Sequence, residues 1–145
     1  MPQTSSGDPT LALKASVPAF PVADIEQAAA FYQSKLSFSL AYQEEDFAIV
    51  SRDAVELHLW RCGDTSWKKR WRDRPIISGA ESFLKGTASC RMACDEIEEL
   101  SAACREAKIV HPNGKLSIKP WGTIEFAVLD LDGNLITFFA PKGLT

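Results

Sequence analysis

The chain has 145 residues, a length that fits one domain or two small modules sharing one core. Apolar residues make up 46% and charged residues 24%, and no apolar run approaches the roughly 20 residues that cross a bilayer, so we expect no membrane partner. The formal net charge of -3, without a basic stripe, argues against a nucleic-acid partner.

Residues 1–14 are predicted to form a flexible leader. The opening segment MPQTSSGDPT has neither a basic n-region nor an apolar h-region, so it lacks the features of a secretory signal. The chain has four cysteines and no CxxC pair, which argues against a zinc site or a disulfide framework. We therefore expect a cytoplasmic protein with free thiols at Cys62, Cys90, Cys94 and Cys104.

The first predicted module covers residues 15–61. The alternation in ASVPAFPV predicts a strand over residues 15–22, although its two prolines limit ladder hydrogen bonding. Asp24 is predicted to cap a helix over IEQAAAFYQSKL, where apolar residues recur at helical spacing. The runs FSLAYQ, FAIVSR and VELHLW have period two and predict a meander of three strands.

The second predicted module covers residues 87–140 and follows a long loop over residues 62–86. TASCRMAC predicts a strand, and Asp95 is predicted to cap the next helix, with Glu98 completing a capping box. VADIEQ and ACDEIEEL align with an offset of 71 residues. TIEFAVLD and NLITFFA predict two further strands, joined by a turn in which Gly133 supplies a positive φ. The interpretation is a duplicated βαβββ unit, and hence an α+β fold.

Each predicted strand has an apolar face and a mixed face, because successive side chains point to opposite sides. In VELHLW the mixed face carries Glu56, His58 and Trp60. Arg91 and Glu125 lie on the mixed faces of the strands TASCRMAC and TIEFAVLD. Plain solvent exposure is one explanation, but a large aromatic such as Trp60 is not usually left in water without a partner. The mixed faces are therefore candidate ligand-binding surfaces.

Several segments resemble the bleomycin resistance proteins, which belong to the vicinal oxygen chelate superfamily together with glyoxalase I and the extradiol dioxygenases. The resemblance is carried by FYQSKLSF, by EEDFAIVSRD, and by the pair PWG and LDLDGN. It covers residues 15–61 and 87–140. It implies a vicinal-oxygen-chelate (glyoxalase/bleomycin-resistance-like) fold, with the paired βαβββ modules forming a single domain over residues 15–145.

The resemblance also implies where a metal would be held. Metal enzymes of the superfamily place one ligand on the first strand of each module and one on the last, and those positions fall here on Val17, Glu56, Ser89 and Thr137. Only Glu56 is a strong ligand, because valine cannot ligate and neutral hydroxyls bind divalent metals poorly. We therefore expect no metal, no cofactor and no catalytic residue. The alternative is a lyase or dioxygenase-like enzyme with a site built on Glu56 and His58.

The function that the resemblance implies is antibiotic resistance without catalysis. The resemblance implies a homodimer that sequesters a cationic, flat-tailed glycopeptide of the bleomycin type in two clefts at the subunit interface. Such a ligand requires aromatic planes for its bithiazole and carboxylates for its cationic tail. Pro18 matches the proline from which an N-terminal arm crosses to the partner subunit. The mixed faces and the resemblance together predict these ligand-binding residues: Phe38, Phe47, Glu56, His58, Trp60, Arg91, Trp121 and Glu125.

The pattern of basic residues leaves another binding function open. The predicted loop over residues 62–86 carries Trp67 and Trp71 among six basic side chains, and Arg91 brings positive charge to the proposed cleft. A positive lining would repel a cationic drug and attract an anionic ligand. A binding module for another small molecule, aromatic or anionic, is therefore the third hypothesis.

Overall fold

The computed structural model describes residues 10–63 and 85–142, which form two modules of the same architecture. The predicted Trp67 and Trp71 and most of the predicted leader lie outside these residues. The first module contains β1 (Ala19–Val22), α1 (Ile25–Leu36), β2 (Ser39–Gln43), β3 (Phe47–Arg52) and β4 (Val55–Arg61). The second contains β5 (Ser89–Ala93), α2 (Ile97–Glu106), β6 (Ser117–Ile118), β7 (Thr123–Leu129) and β8 (Leu135–Pro141).

The two sheets share one topology. Their strand orders are β1-β4-β3-β2 and β5-β8-β7-β6, so the first strand of each module pairs in parallel with the last. This duplication confirms the predicted α+β fold of paired βαβββ modules. Strand β6 is absent from the sequence prediction, because two residues are too few to show an alternating pattern. The placing of module boundaries at residues 15–61 and 87–140 stays a prediction.

Each helix covers one face of its sheet, and among residues 10–63 and 85–142 the opposite face, here called the open face, keeps partly exposed side chains. Helix α1 packs on β2, β3 and β4, and α2 packs on β7 and β8. In β4, Leu57 and Leu59 are fully buried, whereas Glu56, His58 and Trp60 point to the opposite side and keep solvent contact. The predicted division of this strand into an apolar and a mixed face is therefore confirmed. Neither helix in the described ranges is long and apolar enough to cross a membrane.

Helix α1 begins where the sequence predicts it. The side chain of Asp24 accepts a hydrogen bond from the backbone N–H of Gln27 at 2.9 Å, which satisfies one of the free donors of the first turn. The helix ends at Leu36, and the following Ser37 caps it with a left-handed backbone and φ of 58°. The residues that it buries follow the predicted helical spacing: Ile25, Ala28, Ala29, Tyr32 and Leu36.

The predicted cap of helix α2 is wrong. The residue at the cap is Glu96, whose side chain makes no capping hydrogen bond, so Asp95 and Glu98 do not form a capping box. Three residues separate β5 from α2, whereas two separate β1 from α1. The helices are therefore offset by 72 residues, and an alignment on the two aspartates misses the extra residue.

Strands β1 and β5 are shorter than the sequence predicts. Strand β1 begins at Ala19 rather than at residue 15, and β5 covers Ser89–Ala93 rather than residues 87–94. The carbonyl of Pro18 accepts from the N–H of His58 at 3.0 Å, but proline has no N–H to extend the ladder. Pro21 is tolerated because β1 lies at the edge of its sheet.

Asn134 links the two modules through hydrogen bonds of its buried side chain. Its amide nitrogen donates to the carbonyl of Pro21 in the first module at 2.8 Å. Its Oδ1 accepts from the N–H groups of Gly86 and Ala88, at 3.1 and 3.3 Å, just before β5. Since Asn134 is completely buried, the bond to Pro21 joins the two modules without competition from water.

The turn that holds Asn134 has the predicted conformation. Gly133 has φ of 89°, which is the positive value that the Asp-Gly sequence predicts. The carboxylate of Asp130 accepts from the N–H groups of Asp132 and Asn134 at 2.9 Å each, and from the hydroxyl of Tyr32 at 2.8 Å. Burial, together with Asp130, raises the pKa of Tyr32 well above its usual value, so this phenol stays protonated and donates.

The four cysteines are free thiols, as the sequence predicts. Burial raises the pKa of Cys90 and of Cys104 to about 11, so both are protonated at neutral pH. Thiolates are the reactive form of cysteine, and these two residues are therefore structural.

Candidate functional site

The first open face is the side of the first sheet that carries Phe47, Glu56, His58 and Trp60. Phe47 and Trp60 are opposite each other in the β3–β4 ladder, and their ring centroids are 4.5 Å apart. The ring of His58 meets Phe47 edge-on at 5.1 Å. The two hairpin strands thus bring three predicted site residues together as one partly exposed aromatic surface.

A carboxylate lies beside this aromatic surface. Nε2 of His58 is 2.7 Å from Oε2 of Glu56, two residues away on the same strand face. The side chain of Glu56 is 47% exposed, so one of its oxygens can accept from a further partner. The first open face therefore combines flat rings with an accessible acid, which suits a cation that also carries aromatic groups.

The second open face is the side of the second sheet that carries Arg91, Glu125 and Phe139, with Trp121 at its border. Glu125 is its centre and is only 4% exposed. Its two oxygens accept from Nη1 and Nη2 of Arg91 at 3.1 and 2.7 Å. Oε2 also accepts from Nε1 of Trp121 at 3.0 Å and from the hydroxyl of Thr123 at 2.6 Å. Four donors of the same chain therefore occupy this carboxylate.

These hydrogen bonds keep Glu125 ionised. The bonds from Arg91, assisted by those from Thr123 and Trp121, lower the pKa of Glu125 from 4.5 to about 2, against the opposing effect of desolvation. The pair with Arg91 is bidentate, which is the geometry that a guanidinium and a carboxylate favour. At neutral pH the charge of Glu125 is therefore balanced within the protein.

Arg91 reaches Glu125 across an intervening strand. Arg91 is on β5 and Glu125 on β7, and β8 lies between them in the sheet. The guanidinium passes over the ring of Phe139 on β8, with its central carbon 4.5 Å from the ring centroid. The positive lining predicted from Arg91 is thus corrected, because its charge is paired with Glu125 and stacked on Phe139.

Trp121 is the most exposed large aromatic ring at either open face. It is 65% exposed, and its indole nitrogen is held by Glu125. It precedes Gly122, whose φ of 97° turns the chain into β7. An indole with one fixed edge and a free face is available to stack on a flat ligand.

Phe38 lies apart from both open faces. It is buried in the core and meets Tyr32 edge-on at 5.6 Å. Phe38 also lines a groove of about 700 Å³ that lies between the β3–β4 turn and helix α2, on the helix side of the sheets. This groove is lined by none of the hydrogen-bonded aromatic side chains described above. An open sheet face becomes a closed cleft only when a second surface covers it.

Sequence reasoning missed Phe139. It pairs with Glu125 in the β7–β8 ladder and supports Arg91 on the second open face. The alternation in NLITFFA already places Phe139 on the face of Thr137, so the signal is present in the sequence. The contact between Phe139 and Arg91 can be inferred only once β8 is known to lie between β5 and β7.

The positions implied for a metal do not suit one. Glu56 is paired with His58, and Val17 offers no donor. Ser89 pairs with Leu135 in the β5–β8 ladder and Thr137 pairs with Arg91, so the two hydroxyls lie two residues apart along the sheet. Within residues 10–63 and 85–142, no three side chains of His, Cys, Asp or Glu come together. The donor set is therefore too weak for the metal of the superfamily enzymes.

The described segment before β1 exposes apolar side chains. Pro18, the predicted start of a crossing arm, is partly buried at the first residue before the strand. Upstream of it, Leu13 is 98% exposed and Leu11 is 74% exposed.

Comparisons with known proteins agree with this architecture. The family model of the Glyoxalase/Bleomycin resistance protein/Dioxygenase superfamily matches residues 15–138. Proteins named Bleomycin resistance protein from Geobacillus stearothermophilus and Staphylococcus aureus are 44% identical over 124 residues, which are 86% of this chain and 94% of theirs.

Two solved structures share the fold. A bleomycin resistance determinant encoded on the transposon Tn5 has a TM-score of 0.65 at 20% identity, covering 91% of this chain and 100% of its own. The bleomycin-binding protein of Streptomyces verticillus, complexed with copper(II)-bleomycin, has a TM-score of 0.68 at 21% identity, covering 91% and 99%. Both likenesses extend over the two modules.

Proposed function

The chain belongs to the glyoxalase/bleomycin resistance protein/dioxygenase superfamily, and from this premise we propose that it binds and sequesters a bleomycin-type glycopeptide without transforming it. The observation that carries the proposal is the 44% identity to proteins named Bleomycin resistance protein, which extends over 94% of their length. An identity of that extent includes both modules and therefore both open faces. Sequestration in the cytoplasm would keep the antibiotic from DNA and confer resistance.

The first open face suits the cationic part of such a ligand. Glu56 is accessible and carries the negative charge, and the rings of Phe47 and Trp60 lie on the same face. Cation–π contact contributes about 0.5 to 2 kcal/mol, with the larger values at desolvated sites. A ligand with both a cation and flat rings therefore gains from the whole surface rather than from one residue.

We further propose that the binding clefts form between two subunits. Each open face is a shallow surface in one chain, and a second chain would close it. The exposed Leu11 and Leu13 lie ahead of Pro18, where an extended arm can leave its own subunit and pack on the partner. The dimer would thereby bury apolar surface that a single chain leaves in water.

Trp60 and Trp121 provide a fluorescence test of bleomycin binding. We expect bleomycin to quench the intrinsic fluorescence at micromolar concentrations, and we expect Trp60→Phe and Trp121→Phe each to remove part of the change. The exposed Leu131→Ala is a matched control outside both faces, and it should titrate like the wild type. Absence of quenching at micromolar bleomycin would reject the proposal.

One observation favours a second candidate function. The contact of 2.7 Å between Glu56 and His58 is an arrangement in which a carboxylate orients an imidazole for proton transfer. A metal-free enzyme of the superfamily could use this pair as a general base. Chromatographic analysis of bleomycin recovered from the protein separates the two functions, because a binder returns the ligand unchanged and an enzyme returns a product.

A further inference from the structure

We propose that Glu125 is a positioning residue that orients Trp121 and cancels the charge of Arg91, so that the second open face takes the flat, uncharged aromatic part of the ligand. The cationic part is then left to Glu56 on the first open face. This assignment rests on the proposed function, because it divides one ligand between two faces. Glu125 itself makes no contact with the ligand.

The burial of Glu125 shows why it positions other residues rather than binding. Only 4% of it is exposed, and both oxygens already accept hydrogen bonds from the chain. A ligand cation would have to displace Arg91 from a carboxylate whose side chain is only 5% exposed. It would exchange one ion pair for another and would lose its own hydration on reaching the buried oxygens. An incoming cation therefore finds no acceptor here.

The orientation of Trp121 depends on the same carboxylate. The indole is 65% exposed, so packing within its own subunit restrains it little, and Nε1 is held at 3.0 Å by Oε2 of Glu125. That oxygen is fixed in turn by Arg91 and Thr123. A ring held in its binding orientation loses less conformational freedom when a ligand stacks on it. Glu125 thus makes Trp121 a preorganised stacking surface.

The neutrality of the face depends on Glu125 as well. The guanidinium of Arg91 lies over the ring of Phe139, with its central carbon 4.5 Å from the ring centroid. Without Glu125 this guanidinium would carry an uncompensated positive charge and would repel a cationic glycopeptide. With it, the charges of Arg91 and Glu125 cancel. The carboxylate of Glu56 differs from that of Glu125, because it is 47% exposed and lies beside His58 rather than against a guanidinium.

The first arm of the test reads the position of Trp121 without any ligand. The indole N–H signal of Trp121, assigned with Trp121→Phe, should be shifted downfield and protected from solvent exchange by its bond to a carboxylate. We expect Glu125→Ala to abolish both properties. Glu125→Gln should keep them in part, because the amide retains one acceptor oxygen but places donors against Arg91.

The second arm measures bleomycin affinity by calorimetry at low and high salt. We expect Glu125→Ala to raise Kd about tenfold or more, with an affinity that partly recovers in salt as repulsion from Arg91 is screened. The double variant Arg91→Met/Glu125→Ala should lose this salt dependence but keep the weakened binding, because Trp121 is still unrestrained. Glu98→Ala, a substitution of the same type on the exposed side of α2, is the control.

Two results would overturn the proposal. One is an indole signal of Trp121 that is the same in Glu125→Ala and in the wild type. The other is a Kd within twofold of the wild type for a Glu125→Ala protein whose circular dichroism shows an intact fold. If the wild type itself binds no bleomycin, the proposed function fails, and the indole signal alone decides whether Glu125 positions Trp121.

Discussion

The side-chain amide of Asn134 donates to the backbone carbonyl of Pro21 at 2.8 Å, and this bond joins the last turn of the second module to the first strand of the first. Both open faces depend on strands that this bond helps to hold, since Pro21 is in β1 and Asn134 directly precedes β8. This buried amide also accepts from Gly86 and Ala88, and together with the bond from Tyr32 to Asp130 it holds the two modules in position.

Replacement of Asn134 should therefore destabilise the whole protein. Asn134→Ala leaves the carbonyl of Pro21 and the N–H groups of Gly86 and Ala88 without partners in the interior, and each buried unsatisfied group costs about 1–3 kcal/mol. We expect a loss of roughly 3 kcal/mol in the free energy of unfolding, measured with urea. The exposed Asn113→Ala should change it by less than about 0.5 kcal/mol. Equal effects of the two substitutions would show that Asn134 has no linking role.

The low pKa of Glu125 predicts an acid-sensitive contribution to stability. Because Arg91 lowers the pKa in the folded state from 4.5 to about 2, the ionised form stabilises the native protein. This contribution is fully present above pH 4.5 and is lost as the pH falls through about 2. We expect the difference in unfolding free energy between wild type and Glu125→Gln to shrink over this window. A difference that is constant with pH would contradict the low pKa.

The aromatic surface of the first open face predicts a graded effect on binding. Trp60→Ala removes the ring that contacts Phe47 and should weaken bleomycin binding about tenfold, since loss of a stacked aromatic typically costs at least 0.5–1.5 kcal/mol in addition to its buried area. Trp60→Phe should keep most of the affinity. Calorimetric titration measures both. Similar losses for Trp60→Ala and Trp60→Phe would point to a role of the indole nitrogen instead of stacking.

The exposed leucines ahead of Pro18 predict an effect on assembly. If the arm packs on a partner, Leu11→Ser with Leu13→Ser removes apolar contacts and should shift the protein from dimer toward monomer. Size-exclusion chromatography with light scattering measures the mass directly. Leu131→Ser, at another exposed leucine, should leave the dimer intact. A wild type that is monomeric at every concentration would contradict the dimer.

Local sequence patterns predicted most of the architecture. The alternation in VELHLW correctly placed Leu57 and Leu59 in the core and Trp60 on the opposite face, and Asp24 and Gly133 behaved as cap and turn residues. These features depend on a few neighbouring residues, and their physical causes are local. The predicted cap of α2 was wrong, because the one extra residue before Ile97 does not alter the spacing of apolar residues along the helix.

The contacts of the candidate site were less accessible to prediction. Arg91 and Glu125 are 34 residues apart, and they meet only because β8 lies between β5 and β7. The sequence therefore showed two opposite charges but not that they cancel. Phe38 illustrates the converse, since a resemblance suggested ligand contact and the packing against Tyr32 places it in the core. Strand order and packing decided both cases.

Sequestration makes a stoichiometric prediction that catalysis does not. The most direct measurement is the nicking of plasmid DNA by activated bleomycin as protein is added in increasing molar ratio. We predict that protection increases linearly and is complete near one chain per bleomycin, with the antibiotic recovered intact after the protein is denatured. Full protection by a small fraction of an equivalent, or no protection at a several-fold excess of protein, would contradict the account.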